Sequence, residues 1–140
     1  MSRKSIITKA LGAAALTCAV LAGTSTSAFA NTGAGYIGDG YANNSHAVWC
    51  VQDSLNWAFS HHGVNYPALS EDGVWGPKTK AAVEEFQYLF SMPDVGVMAQ
   101  DGIVGKDTGQ YLIEFGNPYY DGGDSQPNTS YCYGYLPSNY

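Results

Sequence analysis

A short motif occurs twice in this chain, and each copy directly precedes a segment with helical character. The first copy is SEDGVWGPKT, at residues 70–79, and the second is AQDGIVGKDT, at residues 99–108. Each DG pair predicts a tight turn, because Asp accepts hydrogen bonds from the backbone and Gly adopts the positive φ that such turns require. The Gly three residues further on suits the start of a helix. We therefore predict two helices, each preceded by the same type of turn.

Apolar periodicity predicts three short helices, near residues 47–61, 77–90 and 106–115, each with one buried face. The residues predicted to be buried are Val48, Val51, Leu55 and Ala58 in the first helix, Val83, Phe86 and Phe90 in the second, and Thr108, Tyr111, Leu112 and Phe115 in the third. Val74 and Ile103 are predicted to attach the two turns to the core. Two repeat units are too few for a solenoid. The expected fold is all-α, a small three-helix bundle with two DG-turn/helix-start repeats.

The first thirty residues have the pattern of a signal peptide. Basic residues precede an apolar run at 10–22, and an A-x-A cleavage pattern ends at Ala30. The run is too short for a comfortable membrane span. We expect a secreted protein, extracellular or cell-wall associated, with no membrane attachment after signal cleavage.

The rest of the chain divides into three predicted parts. Residues 31–46 form an irregular arm without apolar periodicity, residues 47–116 form the three-helix domain, and residues 117–140 form a tyrosine-rich tail. A tail of this composition buries little surface unaided.

The charge of the predicted mature chain excludes some partners. Only three of the six basic residues remain after cleavage, against twelve acids, which gives a net charge of −9. Nucleic acid and anionic membranes are therefore unfavourable partners.

Two cysteines, Cys50 and Cys132, remain in the predicted mature chain. In an exported protein such a pair predicts a disulfide. A metal site that combines them with the histidines lacks ligand spacing, so we predict neither a metal nor a cofactor. The bond would attach the tail to the side of the first helix that carries Trp57. The tail tyrosines would then either cover Trp57 or remain exposed to bind sugars or protein, and both possibilities stay open.

Residues 48–112 resemble the three-helix peptidoglycan-binding domain found beside many bacterial cell-wall hydrolases. The resemblance is carried by VWCVQDSL on the first helix, by DGVWGPKTKAAVEEFQ at 72–87 and by DGIVGKDTGQYL at 101–112. Two positions depart from the family pattern: Lys106 stands where proline is usual, and Gly109 stands where tryptophan is common. We predict from these two departures that the third helix is less rigid than in relatives.

The resemblance implies non-catalytic binding of peptidoglycan, either its glycan strand or its stem peptide, in a groove beside the two turns. The candidate ligand-binding residues are Asp72, Gly73, Trp75, Gln87, Tyr88, Asp101 and Gly102. Each has a structural alternative. The aspartates could cap their own turns, Gln52 and Gln87 could brace the bundle, and Trp75 could fill the core.

Two other classes of function remain as alternatives. The protein could be an interaction or regulatory subunit, an inhibitor or companion of a separate secreted cell-wall hydrolase, because no catalytic domain accompanies the module. A small hydrolase is the weaker alternative, because Glu84 and Glu85 are adjacent and lack the opposed geometry of a glycosidase pair. We therefore predict that the protein is not an enzyme.

Overall fold

The computed structural model of the protein describes residues 31–93, 97–117 and 131–139. These residues contain three α-helices, α1 (Ser45–His61), α2 (Pro77–Phe90) and α3 (Lys106–Phe115), and a short 3-10 helix, η1 (Tyr131–Gly134). The predicted all-α fold is confirmed, and the predicted helix limits differ from the observed ones by at most two residues. The predicted signal peptide and tail residues 118–130 and 140 lie outside the described residues. In the part of the chain that is described, no helix is long and apolar enough to cross a membrane.

Local sequence accounts for where each helix begins. The side chain of Asn44 caps α1 and accepts hydrogen bonds from the backbone nitrogens of His46, at 2.9 Å, and Ala47, at 3.4 Å. Pro77 is the first residue of α2, where its missing N–H costs no helical hydrogen bond. Gly76 and Gly105 are the N-cap residues of α2 and α3, as the repeated motif predicts.

The core lies where α1 packs against the other two helices. The predicted buried faces are confirmed, with Phe115 partly buried at the edge of the core. Aromatic rings fill one end, where Phe86 and Phe90 stack at 4.5 Å and Phe59 packs beside them. The fully buried predicted residues are Val48, Val51, Leu55, Ala58, Val83, Phe86 and Leu112.

Residues on both sides of the helical region complete this core. Ile37, from the N-terminal arm, is buried and exchanges two backbone hydrogen bonds with Val104, at 3.1 and 2.8 Å. Leu136, from the C-terminal segment, is fully buried. Asn31 forms an isolated bridge with Pro137. The arm is irregular, as predicted, but it is an integral part of the fold.

The predicted disulfide between Cys50 and Cys132 is present, with the two Cα atoms 5.5 Å apart and both residues fully buried. It joins η1 to the middle of α1. Because the bond closes a loop of more than eighty residues, it restricts the unfolded chain strongly.

The described tail residues lie on a different part of α1 from the one predicted. Tyr131 packs edge-on against Trp49, and Tyr135 stacks on His46 at 5.5 Å. Trp57 instead stacks on His61, with the ring centroids 3.6 Å apart. Trp57 is two helical turns beyond the disulfide, whereas η1 runs toward the start of α1.

Gly109 has a steric role that was not predicted, and the lower rigidity of α3 stays a prediction. A Cβ atom at this position would lie only 1.9 Å from the carbonyl oxygen of Pro137. The missing side chain therefore lets the C-terminal segment approach the backbone of α3. A tryptophan at this position would exclude that segment.

Asp53 on α1 is a buried carboxyl group. Its Oδ2 atom has no hydrogen-bond partner among the described residues. Burial raises the pKa of Asp53 to about 6, and the nearby negative charge of Glu71 adds to this rise, while a hydrogen bond from Asn117 opposes it.

Candidate functional site

The first DG turn is held by Gln52, a buried residue of α1. The side-chain nitrogen of Gln52 donates to Oδ1 of Asp72 at 2.9 Å, to the carbonyl of Val74 at 3.2 Å and to Oγ1 of Thr79 at 3.2 Å. Its side-chain oxygen accepts from the N–H of Gly73 at 2.9 Å. One buried amide thus connects α1, the turn and the start of α2.

Gln87 of α2 makes the equivalent contacts to the second turn. Its nitrogen donates to Oδ1 of Asp101 at 3.0 Å, to the carbonyl of Ile103 at 2.9 Å and to Oγ1 of Thr108 at 3.1 Å. Its oxygen accepts from the N–H of Gly102 at 2.9 Å. Gln87 is fully buried, so it cannot contact a ligand at the surface. The geometry supports the bracing role for both glutamines.

Each turn aspartate caps its own turn while one side of it faces solvent. Asp72 accepts from the N–H of Val74 at 3.0 Å, and Asp101 accepts from the N–H of Ile103 at 2.9 Å. The hydrogen bond from Val74, together with that from Gln52, lowers the pKa of Asp72 below its usual value. These carboxylates are exposed and can accept further hydrogen bonds from a ligand.

The turn glycines are required by the backbone. Gly73 and Gly102 have φ values of 69° and 67°, which residues with a side chain rarely adopt. A Cβ atom on Gly73 would lie 2.7 Å from the carbonyl oxygen of Ser45, and one on Gly102 would lie 2.8 Å from the side chain of Lys80. Both glycines therefore have a structural function. Gly102 is also buried, so its predicted contact with a ligand is not supported.

The prediction that Val74 attaches the first turn to the core is wrong. Its side chain is 63% exposed, and Ile103 in the second turn is only partly buried. The turns are attached through hydrogen bonds to Gln52 and Gln87 instead of through aliphatic contacts. A buried amide that satisfies several turn groups at once makes an apolar anchor unnecessary.

Trp75 is partly buried and forms part of a polar cluster. Its indole nitrogen donates to Oδ1 of Asp39 at 3.0 Å, and Oδ2 of Asp39 pairs with the ammonium of Lys80 at 2.8 Å. The hydrogen bond from Lys80 lowers the pKa of Asp39 the most, and the hydrogen bond from Trp75 lowers it further. The only N–H of the indole is therefore engaged within the protein, which leaves Trp75 the face of its ring for a ligand.

Tyr88 is 63% exposed on α2, so it is accessible to a partner. It lines neither of the two surface depressions beside the turns. The predicted site residues are thus divided: the two aspartates and Trp75 lie at the turns, and Tyr88 stands apart from them.

Each DG turn borders an open surface depression. The first depression has a volume of about 490 Å³ and is bordered by Asp72, the 68–70 segment and the start of α2. The second has a volume of about 360 Å³ and is bordered by Asp101 and the start of α3. These volumes fall within the usual range of small-molecule sites.

Residues outside the helical region also line the second depression. They are Tyr36 and Tyr41 of the arm and Asn139 near the chain end. None of these residues, nor Asp39, was among the site residues predicted from the sequence. The pair Asp39–Gly40 is a further DG turn signal in the arm, but no apolar periodicity linked that segment to the helices.

Comparison with known protein families identifies one match. Residues 54–112 match the model of a family described as "Putative peptidoglycan binding domain". The matched region begins inside α1, just after Gln52, and includes both DG turns, all of α2 and most of α3. Comparisons with curated proteins and with solved structures found no match. The helical architecture agrees with the family match, and residues 54–112 of this chain are similar to the peptidoglycan-binding domain family.

Proposed function

We propose that this protein is a secreted, non-catalytic protein that binds peptidoglycan through the surface beside its two DG turns. The family match over residues 54–112 is the observation that carries this proposal. The signal-peptide pattern of residues 1–30 supports export to the compartment where peptidoglycan lies.

The geometry of the turns supports binding at this surface. Gln52 and Gln87 hold both turns in place through internal hydrogen bonds, so little ordering is required when a ligand binds. Asp72 and Asp101 present carboxylate oxygens at the edges of the depressions. With a predicted net charge of −9, attraction to the anionic parts of a wall contributes nothing, and binding depends on shape and hydrogen bonds.

Retention on purified sacculi tests the proposal. Sacculi freed of teichoic acid are incubated with the protein, and the bound fraction is measured between low and moderate salt. We expect retention that changes little with salt, because it does not depend on ion pairs. Failure to sediment with the sacculi at any of these salt concentrations would defeat the proposal. Release of reducing ends or free amines during incubation would show an enzyme instead.

A second candidate function is that of a companion or inhibitor of a separate cell-wall hydrolase. It is favoured by the aromatic cluster of His46, Tyr131 and Tyr135, which lies outside the family match. Aromatic side chains are enriched at protein interfaces. If this function is correct, replacing His46 and Tyr135 by alanine abolishes capture of a purified hydrolase and leaves sacculus binding unchanged.

A further inference from the structure

The depression at the second turn combines residues of the family match with aromatic and polar side chains from outside it. Its lining includes the aromatic side chains of Tyr36 and Tyr41 and the polar side chains of Asn139 and Asp107. Tyr36, Tyr41 and Asn139 lie outside the matched region, and the seven other lining residues, between Ala99 and Thr108, lie within it. Residues outside the family match therefore contribute side chains to the surface beside one of the two turns.

The two tyrosines present their rings to solvent. Tyr36 is 42% exposed and Tyr41 is 44% exposed, and their ring centroids lie 5.6 Å apart at an angle of 48°. The ring of Tyr36 lies over Gly105, where an added Cβ atom would be 3.4 Å from it. The rings are thus placed next to each other at the surface beside an open depression.

The polar side chains near these rings can form hydrogen bonds, and their carboxylates outnumber their single ammonium group. The side-chain nitrogen of Asn139 donates to Oδ1 of Asp107 at 2.9 Å and so orients that carboxylate. Asp101 contributes a second carboxylate to the lining, and Lys106 contributes one ammonium group. The lining repels a ligand that carries several carboxylates, but it can accept hydrogen bonds from hydroxyl and amide groups.

We propose that this depression binds a short, uncharged stretch of an N-acetylated amino-sugar chain, with Tyr36 and Tyr41 stacking on the sugar faces. The apolar faces of sugar rings pack on aromatic rings, and their hydroxyl and acetamido N–H groups donate to the carboxylates. A stem peptide, which carries carboxylate groups, fits this lining less well. The inference rests on the proposed function and assigns the glycan strand, not the stem peptide, to the second turn.

The first depression lacks the aromatic side chains on which the assignment of the glycan strand to the second turn depends. The residues that line it are aliphatic, small or polar and include no aromatic side chain: Gln52, Ala68, Leu69, Ser70, Asp72, Val74, Gly76, Pro77, Lys78 and Thr79. The two turns are therefore equivalent in backbone and hydrogen bonding but unequal in the surface they offer. Of these two depressions, only the second is lined by aromatic rings that can stack on a sugar.

Titration of the full protein with chitotetraose, an uncharged oligomer of N-acetylglucosamine, tests the inference by chemical-shift changes. A free stem peptide serves as the competing ligand class. We expect saturable shifts at residues of the second depression with the sugar and weaker binding of the peptide. Tyr41→Ala, which removes no core contact, is expected to weaken sugar binding roughly fivefold to tenfold, and Tyr36→Ala similarly. Tyr41→Phe retains a stacking ring and should restore most of the affinity.

Trp57→Ala is the matched control, because Trp57 is also 42% exposed but lies away from the depression. It should leave sugar binding unchanged, and circular dichroism should show that all variants keep their helices. Preferential binding of the peptide, or unchanged sugar affinity in Tyr36→Ala and Tyr41→Ala, would overturn the inference.

Parallel sacculus binding separates this inference from the proposed function. If the sacculi retain the protein but the tyrosine variants bind chitotetraose as the native chain does, the inference fails and peptidoglycan binding stands. If chitotetraose binds at the tyrosines but sacculi do not retain the protein, the sugar site stands and the proposed function fails. If neither ligand binds, both fail.

Discussion

Gln87 holds the second DG turn with the same four hydrogen-bond contacts that Gln52 makes to the first, and the two N–H groups of each amide are shared among three acceptors. In each case the amide nitrogen donates to the turn aspartate, to a carbonyl two residues later and to a threonine of the next helix. In each case the amide oxygen accepts from the turn glycine. The repeated unit is therefore a polar network that includes a side chain from the preceding helix.

Replacing either glutamine by leucine should destabilise the fold. The change leaves turn donors and acceptors without partners, at about 1–3 kcal/mol for each buried group, so we expect the free energy of unfolding to fall by about 2–4 kcal/mol. Urea denaturation measures this. Gln100→Leu is the control, because Gln100 is exposed and should change stability by less than about 0.5 kcal/mol. Equal losses in the free energy of unfolding for Gln87→Leu and Gln100→Leu would contradict the bracing role.

The two turn glycines should differ in their sensitivity to alanine. Both have positive φ, so both substitutions cost about 1–2 kcal/mol in backbone strain. At Gly73 the new Cβ also meets the rigid carbonyl of Ser45, whereas at Gly102 it meets the flexible side chains of Lys80 and Glu84. We expect Gly73→Ala to lower the melting temperature more than Gly102→Ala does. The reverse order would show that the surroundings of Gly102 are the more rigid.

Gly109→Ala should destabilise the protein, although alanine normally favours a helix over glycine by about 1 kcal/mol. The added methyl group collides with the carbonyl of Pro137, so we expect a loss of about 1–3 kcal/mol and faster hydrogen exchange of the Leu136 amide. Ala81→Gly, at an exposed position of α2, supplies the ordinary propensity effect for comparison. An increase in stability with Gly109→Ala would show that the C-terminal segment does not lie against α3.

Asp53 should make stability fall as the pH rises from about 4 to 6. The folded-state pKa is raised from 3.8 to about 6, so the folded protein binds more protons than the unfolded chain in this interval. Asp53→Asn should remove this dependence and add about 1 kcal/mol of stability at pH 7, after allowance for solvent screening. Denaturation of both proteins at pH 4.5 and pH 7 measures the effect. Parallel pH profiles would rule out a contribution from Asp53.

Removing the disulfide with Cys50→Ala and Cys132→Ala should lower stability by less than the chain-entropy limit of about 4–5 kcal/mol, because a folded core already orders much of the loop. Thermal unfolding measures the loss, and the reduced native protein should show a similar decrease. Mass spectrometry of the unreduced protein should give two hydrogens fewer than the reduced form. Two thiols that can be alkylated without reduction would disprove the bond.

The helices could be predicted because apolar periodicity is a local pattern. The cysteine pairing could be predicted because only two cysteines remain in the predicted mature chain. The apolar spacing of Val48, Val51 and Leu55 defines one face of α1 whatever the partner, and two cysteines allow a single pairing. The DG pairs predicted the turns because only glycine readily adopts the φ observed at Gly73 and Gly102.

The remaining features depend on contacts between distant residues, which periodicity does not report. The approach of Pro137 to Gly109 and the pairing of Ile37 with Val104 each join segments that carry no regular pattern. The same is true of the candidate site, where Tyr36 and Asn139 reach one depression from opposite ends of the described chain. From the sequence alone, a glycine in a helix indicated flexibility, although here it marks a close backbone contact.

The bridge between Asn31 and Pro137 has a consequence for protein engineering. Asn31 also donates from its backbone to the carbonyl of Tyr133 at 3.1 Å and from its side chain to the carbonyl of Gly134 at 3.0 Å. Because the two ends of the described chain are neighbours, a short linker can join them in a circular permutant with new ends between Pro67 and Ala68, which are both exposed. For the same reason the module can be inserted as a single unit into a surface loop of a host protein without separating the host's own strands or helices.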